Sequence, residues 1–458
     1  MSRSDVINLL YIVAFACFIA GLRMLRGPRT AVRGNQVAAV GMAIAVIAAL
    51  LEPGVGDWLL IVLGVAIGTA VGVPAARSVK MTAMPQMVAL FNGVGGGAVA
   101  LIALVDFRHG HGDLPAQTLI PLLFGGIIGS ISFWGSNIAF LKLQELMKGG
   151  LRTPKIVNAA LLAGAVVLAV AIAAGAPGEL WFWLMLACAG ALGVLAVMPI
   201  GGADMPVVIS TLNAFTGLSA AAAGIALDNT ALIVAGMLVG ASGSILTKQM
   251  ADAMNRPIAN VFFAGVGTGA GSASTAPGGG GTARSTSAAD VAIQLSYARL
   301  VVVVPGYGMA VARAQRAVAD VAAELEKRGI EVLYAIHPVA GRMPGHMSVL
   351  LAEADVPYEK LKEMDEINGE FARTDVALVI GANDVTNPAA RTAPDSPIYG
   401  MPILDVDKSS SVIVLKRSMS SGFAGIDNPL FYDTKTSMLF GDAKASVSEI
   451  LAEVQALG

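Results

Sequence analysis

The sequence predicts a polytopic α-helical membrane domain of nine spans, followed by a doubly wound α/β domain. Three observations carry this reading. Residues 5–250 form a train of apolar runs, whereas the chain after residue 290 reads as an ordinary soluble protein. Basic residues between the apolar runs fall almost wholly on one side of a membrane when alternate loops are assigned to opposite sides. From residue 300 a Val-rich run, two closely spaced glycines and a helical pattern follow directly on one another.

The bulk composition sets the frame. Of 458 residues, 55% are hydrophobic and 14% are charged. Soluble domains average about 45–50% and about 25%, so much of this chain must face something other than water. The net charge of −2 comes with no basic patch, which argues against nucleic acid as a partner. Cys17 and Cys188 both lie inside apolar runs and read as small buried hydrophobes rather than a metal pair or a disulfide.

Nine apolar segments are long enough, or nearly so, to cross a ~30 Å hydrocarbon core, which needs roughly 20 helical residues. They lie at 6–25, 36–52, 55–76, 84–105, 117–141, 156–175, 180–200, 205–227 and 230–250, the second being the shortest. The first begins at about Asp5 with almost no basic region before it, and Arg23, Arg26, Arg29 and Arg33 follow it. It therefore reads as a retained span and not a cleaved signal. Loop charges test the count. One side receives Arg23, Arg26, Arg29, Arg33, Arg77, Lys80, Lys142, Lys148, Arg152, Lys155, Lys248 and Arg256, and the other only Arg3 and Arg108. This bias puts the N-terminus outside and the C-terminal domain in the cytoplasm, and an even number of spans would spoil it.

The organisation expected is a membrane domain over 1–262, a flexible linker over 263–289 and a soluble domain over 290–458. The linker carries TGAGSASTAPGGGGTARSTSAA at 268–289, Gly/Ser/Thr-rich sequence that cannot bury a core. Beyond it, LVVVV (300–304) reads as a buried strand and 309–328 as a helix ending at Gly329. IEVLYAI (330–336), VALVI (376–380), PILDV (402–406) and SVIVL (411–415) read as further strands, and 443–456 as a terminal helix. Strands alternating with helices imply a mostly parallel, Rossmann-like sheet.

Pro305-Gly306-Tyr307-Gly308-Met309-Ala310-Val311 lies between the first strand and its helix, a GxGxxV variant of the dinucleotide fingerprint. Gly306 suits the tight turn, and Gly308 lets the backbone approach a pyrophosphate at the helix N-terminus. NAD-specific sites place an acid at the end of the second strand, on the ribose 2′-hydroxyl. Here that strand ends Ile336-His337-Pro338, while Arg342 follows and Lys416-Arg417-Ser418 closes strand 411–415. A missing acid and available cations favour a 2′-phosphate, hence NADP, although Lys416 and Arg417 also suit a solvated strand end. Gly381-Ala382-Asn383-Asp384 sits where open α/β sheets bind ligands, and equally suits an Asx turn. No metal spacing links His337 and His346 to each other or to the remaining histidines, His109 and His111.

No Asp, Glu, Lys or Arg falls near the middle of any span, and Asp204 lies at the cytoplasmic mouth of the eighth. The polar residues at depth are Asn92, Ser130, Ser132, Asn137, Asn213, Thr216, Ser242 and Ser244. Singly such groups bond across helices, and together they suit a path lining.

GYGMAVA (306–312), HPVAGRMPGHMSVLLAEA (337–354), EMDEIN (363–368), GANDVTNPAA (381–390), KRSM (416–419) and MLFGDAKASV (438–447) resemble the NADP(H)-binding domain of proton-translocating transhydrogenase. GGADMPVVIS (201–210) and GSILTKQMADAMNRP (243–257) resemble its membrane domain. The resemblance implies that Gly306, Tyr307, Gly308, Met309, Ala310 and Val311 contact the pyrophosphate. It further implies that Gly341, Arg342, Met343 and Pro344, with Gly381, Ala382, Asn383 and Asp384, line the rest of the cleft. Lys416, Arg417 and Ser418 would hold the 2′-phosphate, and Gly422, Phe423 and Ala424 belong to a lid loop that usually carries Tyr where this chain has Phe423. Asp384 is implied in coupling nucleotide state to protonation, and Asp204 and Asn213 fall at positions important for coupling. Asn92 stands where some members carry a proton-relay His. A protonatable group at depth would then come from a partner.

The resemblance also implies the working assembly. NAD(H) would sit on an alpha subunit that brings further membrane helices, the alpha–beta unit would dimerise, and hydride transfer to NADP⁺ would be coupled to inward proton movement. The expected location is the bacterial inner membrane, with the N-terminus periplasmic. Two other readings remain open at this point: a transporter or channel that only senses NADP(H), and a membrane-anchored NADPH reductase.

Overall fold

The computed structural model describes residues 3–25, 28–53, 55–80, 83–110, 114–144, 146–147, 155–176, 178–200, 204–253, 283–341, 345–396, 398–422 and 424–457. The chain divides into a helical unit and a sheet-bearing unit. Among the described residues, nine helices are long and apolar enough to cross a membrane. They are α1 (Arg3–Met24), α2 (Pro28–Leu50), α3 (Trp58–Ser78), α4 (Met84–His109), α5 (Ala116–Leu143), α6 (Lys155–Ala173), α7 (Glu179–Val197), α8 (Met205–Ala226) and α9 (Thr230–Ala253). The second helix begins eight residues before the predicted start at 36. Hydropathy registers only the apolar stretch, whereas the helix continues through a basic first turn and opens on Pro28, a residue suited to the first helical position.

Glycines and serines set how these helices meet. On α4 and α5 a methyl added to Gly96 would lie 2.9 Å from the Gly129 carbonyl oxygen, and one on Gly129 would lie 2.7 Å from that of Gly96. Between α8 and α9, a methyl on Gly236 would lie 2.4 Å from the Ala221 nitrogen and one on Gly217 would lie 2.5 Å from that of Gly240. Backbones this close leave no room for any side chain, which is how apolar helices gain dispersion contact where water provides no drive. By contrast, α3 buries none of its residues.

The second unit is a six-stranded sheet: β1 (Leu300–Pro305), β2 (Glu331–Ile336), β3 (Leu361–Glu363), β4 (Val376–Ile380), β5 (Ser411–Lys416) and β6 (Thr436–Phe440). The order is β3-β2-β1-β4-β5-β6, and every neighbouring pair is parallel. All of β1 and β4 is buried, as expected of central strands covered on both faces, and this explains their unbroken Val/Leu/Ile character. The helices of six residues or more are α10 (Ala288–Ser296), α11 (Tyr307–Ala312), α12 (Gln315–Lys327), α13 (His346–Glu353) and α14 (Ala443–Ala456).

Two of the expected elements differ, and β3, β6, α10 and α13 are additions to those expected. Residues 402–406 are no strand. Leu404 and Val406 are buried in the core, but the Leu404 N–H donates to Val385 O at 2.9 Å and the Asp405 N–H to Asn368 Oδ1 at 3.0 Å. The apolar residues cover the core without joining a ladder. The helix predicted over 309–328 is two helices, broken where Arg313 takes a left-handed conformation with φ 52°. Its end is as read: Gly329, φ 79°, terminates α12.

The predicted linker lies outside the described residues up to 282. From 283 the chain runs beside β6. The Met438 N–H donates to Arg284 O at 2.7 Å, and the Thr286 N–H donates to Met438 O at 2.9 Å. Ser287 and Asp290 then form the capping box that starts α10.

Candidate functional site

The strand order reverses between β1 and β4, and the crevice outside their C-terminal ends is where an open α/β sheet takes a ligand. The loop after β1 and the loop after β4 close on each other there. The Gly306 N–H donates to Ile380 O at 2.9 Å, and the Gly308 N–H to Gly381 O at 3.0 Å. A methyl on Gly306 would lie 2.3 Å from Gly381 O, and one on Gly308 would lie 2.7 Å from Gly381 Cα. The second loop therefore demands both glycines, in addition to the turn and the ligand approach read from sequence. Gly381 itself sits at φ 65°, in the left-handed region that favours glycine. Met309 and Ala310 are buried beneath this crossing, and Tyr307 and Val311 are more exposed on α11.

The rest of the predicted cleft is divided. Gly341, φ 107°, packs so closely on His346 that a methyl would lie 2.5 Å from Nδ1, and the His346 ring lies 6.2 Å from that of Tyr307. Arg342, Met343, Pro344 and Phe423 lie outside the described residues. Asp384 Oδ2 accepts the Ala424 N–H at 2.9 Å. Gly422 fits against both Asn383 and Asp384, since a methyl there would lie 2.6 Å from Asn383 Nδ2 and 2.6 Å from Asp384 Oδ1. The segment after β5 is thus seated on the loop after β4.

Lys416 closes β5. Its Nζ donates to Ser420 O at 2.5 Å and stands 4.7 Å above the centre of the Phe431 ring. Burial lowers its pKa from the ordinary lysine value, while the Asp384 and Asp427 carboxylates act against that shift. Arg417 and Ser418 are exposed beside it.

At the end of β2, His337 is 2% exposed. Its Nδ1 accepts the Val339 N–H at 3.2 Å, which assigns the proton to Nε2, donated to Pro402 O at 2.8 Å. Burial brings its pKa down to about 4, against which the Pro402 contact works. The unfolded chain takes up this proton near pH 6.5, and the folded one not before about pH 4. The stabilisation is therefore complete above pH 6.5 and is lost on acidification toward pH 4, by up to ~1.4 kcal/mol per pH unit. Denaturant midpoints measured across this range should fall for the wild type and fall less steeply for His337→Gln. Equal slopes would exclude His337 as the source.

In the helical unit the polar residues sort themselves. Asn92 Nδ2 on α4 donates to Ser136 Oγ at 2.9 Å and Ser132 Oγ at 3.3 Å on α5. Ser132 Oγ donates to Leu212 O at 2.9 Å and lies 2.6 Å from Thr216 Oγ1, both on α8. One connected chain thus joins three helices. The others serve packing: Ser130 Oγ donates to Leu186 O at 2.8 Å, and Asn137, Ser242 and Ser244 bond carbonyls of their own helices. Asn213 is half-buried on α8, and Asp204 immediately precedes that helix.

Comparison with known proteins fits both units at once. A family model described as NAD(P) transhydrogenase beta subunit matches residues 7–453. Two curated relatives named NAD(P) transhydrogenase subunit beta, both from Rhodospirillum rubrum, are 50% identical over 452 residues, covering 96% of this chain and 97% of theirs. The chain belongs to the NAD(P) transhydrogenase beta subunit family. Membership ties this membrane protein to transhydrogenation, a reaction of nicotinamide nucleotides.

Sequence reasoning missed several residues that the structure brings into these two polar clusters. Ser136 stands four residues after Ser132, a spacing that puts both on one helix face and could have signalled it. Asn428, before Pro429, reads as a helix cap, and it does accept the Leu430 N–H at 3.0 Å. Nothing in the sequence shows that it also reaches Asn383, nor that Asp427 lies near Lys416.

Proposed function

We propose that this chain is the NADP(H)-binding, proton-conducting subunit of a proton-translocating transhydrogenase. The observation that carries the reading is the pair of loops locked together by Gly306, Gly308 and Gly381 at the β1/β4 switch point. The buried Asn383 Nδ2 beside them has no acceptor among the described residues, which suits a ligand oxygen.

The choice of NADP rests on what borders that crevice. His337 occupies the end of β2 with both nitrogens engaged, so no carboxylate there awaits a ribose 2′-hydroxyl. Lys416, Arg417 and Ser418 stand at the end of β5, on the far side of β4 from β1. If they hold the 2′-phosphate, the adenosine end lies toward β5. The diphosphate then crosses at β1/β4, and the nicotinamide points toward β2. This is the reverse of the usual run, in which the adenosine ribose meets β2.

The bound nucleotides supply hydride chemistry, and the protein supplies position and charge. The N-terminal half of α11 and the loop after β4 fix the diphosphate, while Lys416 and Arg417 neutralise the 2′-phosphate. Asp384 ties the segment at Ala424 to the loop after β4, so a proton on its carboxyl weakens that tie. This links protonation to the grip on the nucleotide. Asn92, Ser132, Ser136 and Thr216 line the membrane path, and an alpha subunit carrying NAD(H) and further helices adds its protonatable group. The N-terminus faces the periplasm, the sheet unit faces the cytoplasm and the alpha–beta unit dimerises. One charge moving down ~150 mV yields about 3.5 kcal/mol, at ~2.3 kcal/mol per 100 mV.

Vesicles reconstituted with both subunits test the reading: an imposed proton gradient should drive hydride from NADH to NADP⁺. A gradient without effect on that exchange would leave a nucleotide sensor or a reductase. In the same vesicles Asp384→Asn should fold, because it retains an acceptor for Ala424. The weakened, uncharged hydrogen bond should lower gradient-driven exchange about five- to tenfold. Wild-type pumping by this variant would remove Asp384 from the coupling.

A further inference from the structure

The geometry points to Asn428 as a positioning residue that orients the Asn383 amide, so that Asn383 Nδ2 is presented as a ready donor to an oxygen of the nucleotide. The inference rests on the proposed nucleotide cleft and goes beyond it by naming a residue outside that cleft which sets its hydrogen-bonding sense.

The orientation follows from backbone groups, whose donor and acceptor roles are fixed. Asn428 is 0% exposed. One end of its amide receives the Leu430 N–H at 3.0 Å, so that end must be the oxygen. The other end lies 3.1 Å from the Asn383 carbonyl oxygen, so it must be the nitrogen. That nitrogen also lies 3.1 Å from the nearer side-chain atom of Asn383, which must then be Oδ1. Asn383 Nδ2 is thereby forced to the opposite side. There it is buried with no acceptor among the described residues, against Gly422 and beside Asp384.

A buried donor left without an acceptor is costly. A protein that spends a fully buried asparagine to hold one in place is holding it for something. Asn383 lies between the diphosphate loop and the Lys416 end of β5. The group that matches the donor is therefore an accepting oxygen of the ribose–diphosphate part of the nucleotide.

The test uses the full chain in detergent, titrated with NADPH and NADH. Asn428→Ser keeps a good cap for Leu430 but is too short to reach Asn383, which frees the amide to turn. NADPH affinity should fall about tenfold, as for the loss of one well-placed hydrogen bond. Asn383→Ala should fall by a similar factor. The double variant should be no weaker than Asn383→Ala alone, because Asn428 acts only through that side chain. A merely structural role would instead give losses that multiply. Should the serine variant not fold, Asn428→Asp keeps length and cap but offers Asn383 an acceptor, reversing its amide, and must lower affinity at least as much. Unchanged NADPH affinity in the variant, or multiplying losses, overturns the inference while the cleft stands. A wild-type chain that binds NADPH no better than NADH overturns the cleft assignment, and this inference with it.

Discussion

Replacing Lys416 or Arg417 by Ala should weaken NADPH binding about 10- to 150-fold and leave NADH binding nearly unchanged. A charge-assisted hydrogen bond to a phosphate is worth ~1.5–3 kcal/mol, and each 1.4 kcal/mol is about a factor of ten. The two residues should not be equal. Arg417 is exposed, where water competes for the contact, and belongs at the lower end. Lys416 is half-buried and balances two carboxylates, Asp384 and Asp427. Its loss removes a contact and also leaves those carboxylates facing a dianionic phosphate, so Lys416→Ala belongs at the upper end. Titration of the full chain with both nucleotides reads this directly. If NADPH and NADH weaken by the same factor, these residues shape the cleft and do not read the 2′-phosphate.

The two units were legible in the sequence to different depths. Each span could be read because a membrane imposes one local demand, an apolar stretch of fixed length. The start of α2 was lost for the same reason: its basic first turn satisfies helix geometry without satisfying hydropathy. In the sheet unit β1, β4 and β5 announce themselves, since strands covered on both faces must be apolar throughout. β3, with sequence LKE, is an edge strand with no such constraint, and 402–406 shows the converse, an apolar run that is buried without being a strand.

The candidate site divides along a similar line. Gly306, Gly308 and the Lys416 cluster stand at strand ends, so their places at the sheet edge follow from local sequence once the strands are placed. The Asn428–Asn383 contact spans 45 residues, and the Asn92–Ser132–Thr216 chain joins three helices. Sequence gives the polarity of each side chain but not which partner it faces.

The fragment comprising residues 283–458 should bind NADP(H) yet pass no hydride from NADH by itself. It carries a complete sheet with its own core around Val302, Val304, Val379, Val412 and Val414. The start at 283 matters, because a cut at 290 would remove the Arg284 and Thr286 contacts to Met438 and the Ser287 cap of α10. Gly306–Val311 is the one dinucleotide fingerprint set between a strand and a helix among the described residues. Hydride transfer needs both nicotinamides held at about 3–3.5 Å, so a chain with one nucleotide site cannot perform it. Adding a separately purified NAD(H)-binding subunit should switch exchange on without any membrane, since both nucleotides would then sit in water-soluble domains. Absorbance reads the exchange with NADPH and an NAD⁺ analogue whose reduced form absorbs apart from NADPH. Exchange by the fragment alone would reveal a second nucleotide site in residues 283–458. Binding without exchange after the partner is added would mean that the cleft reports nucleotide state to the membrane helices and does not deliver hydride.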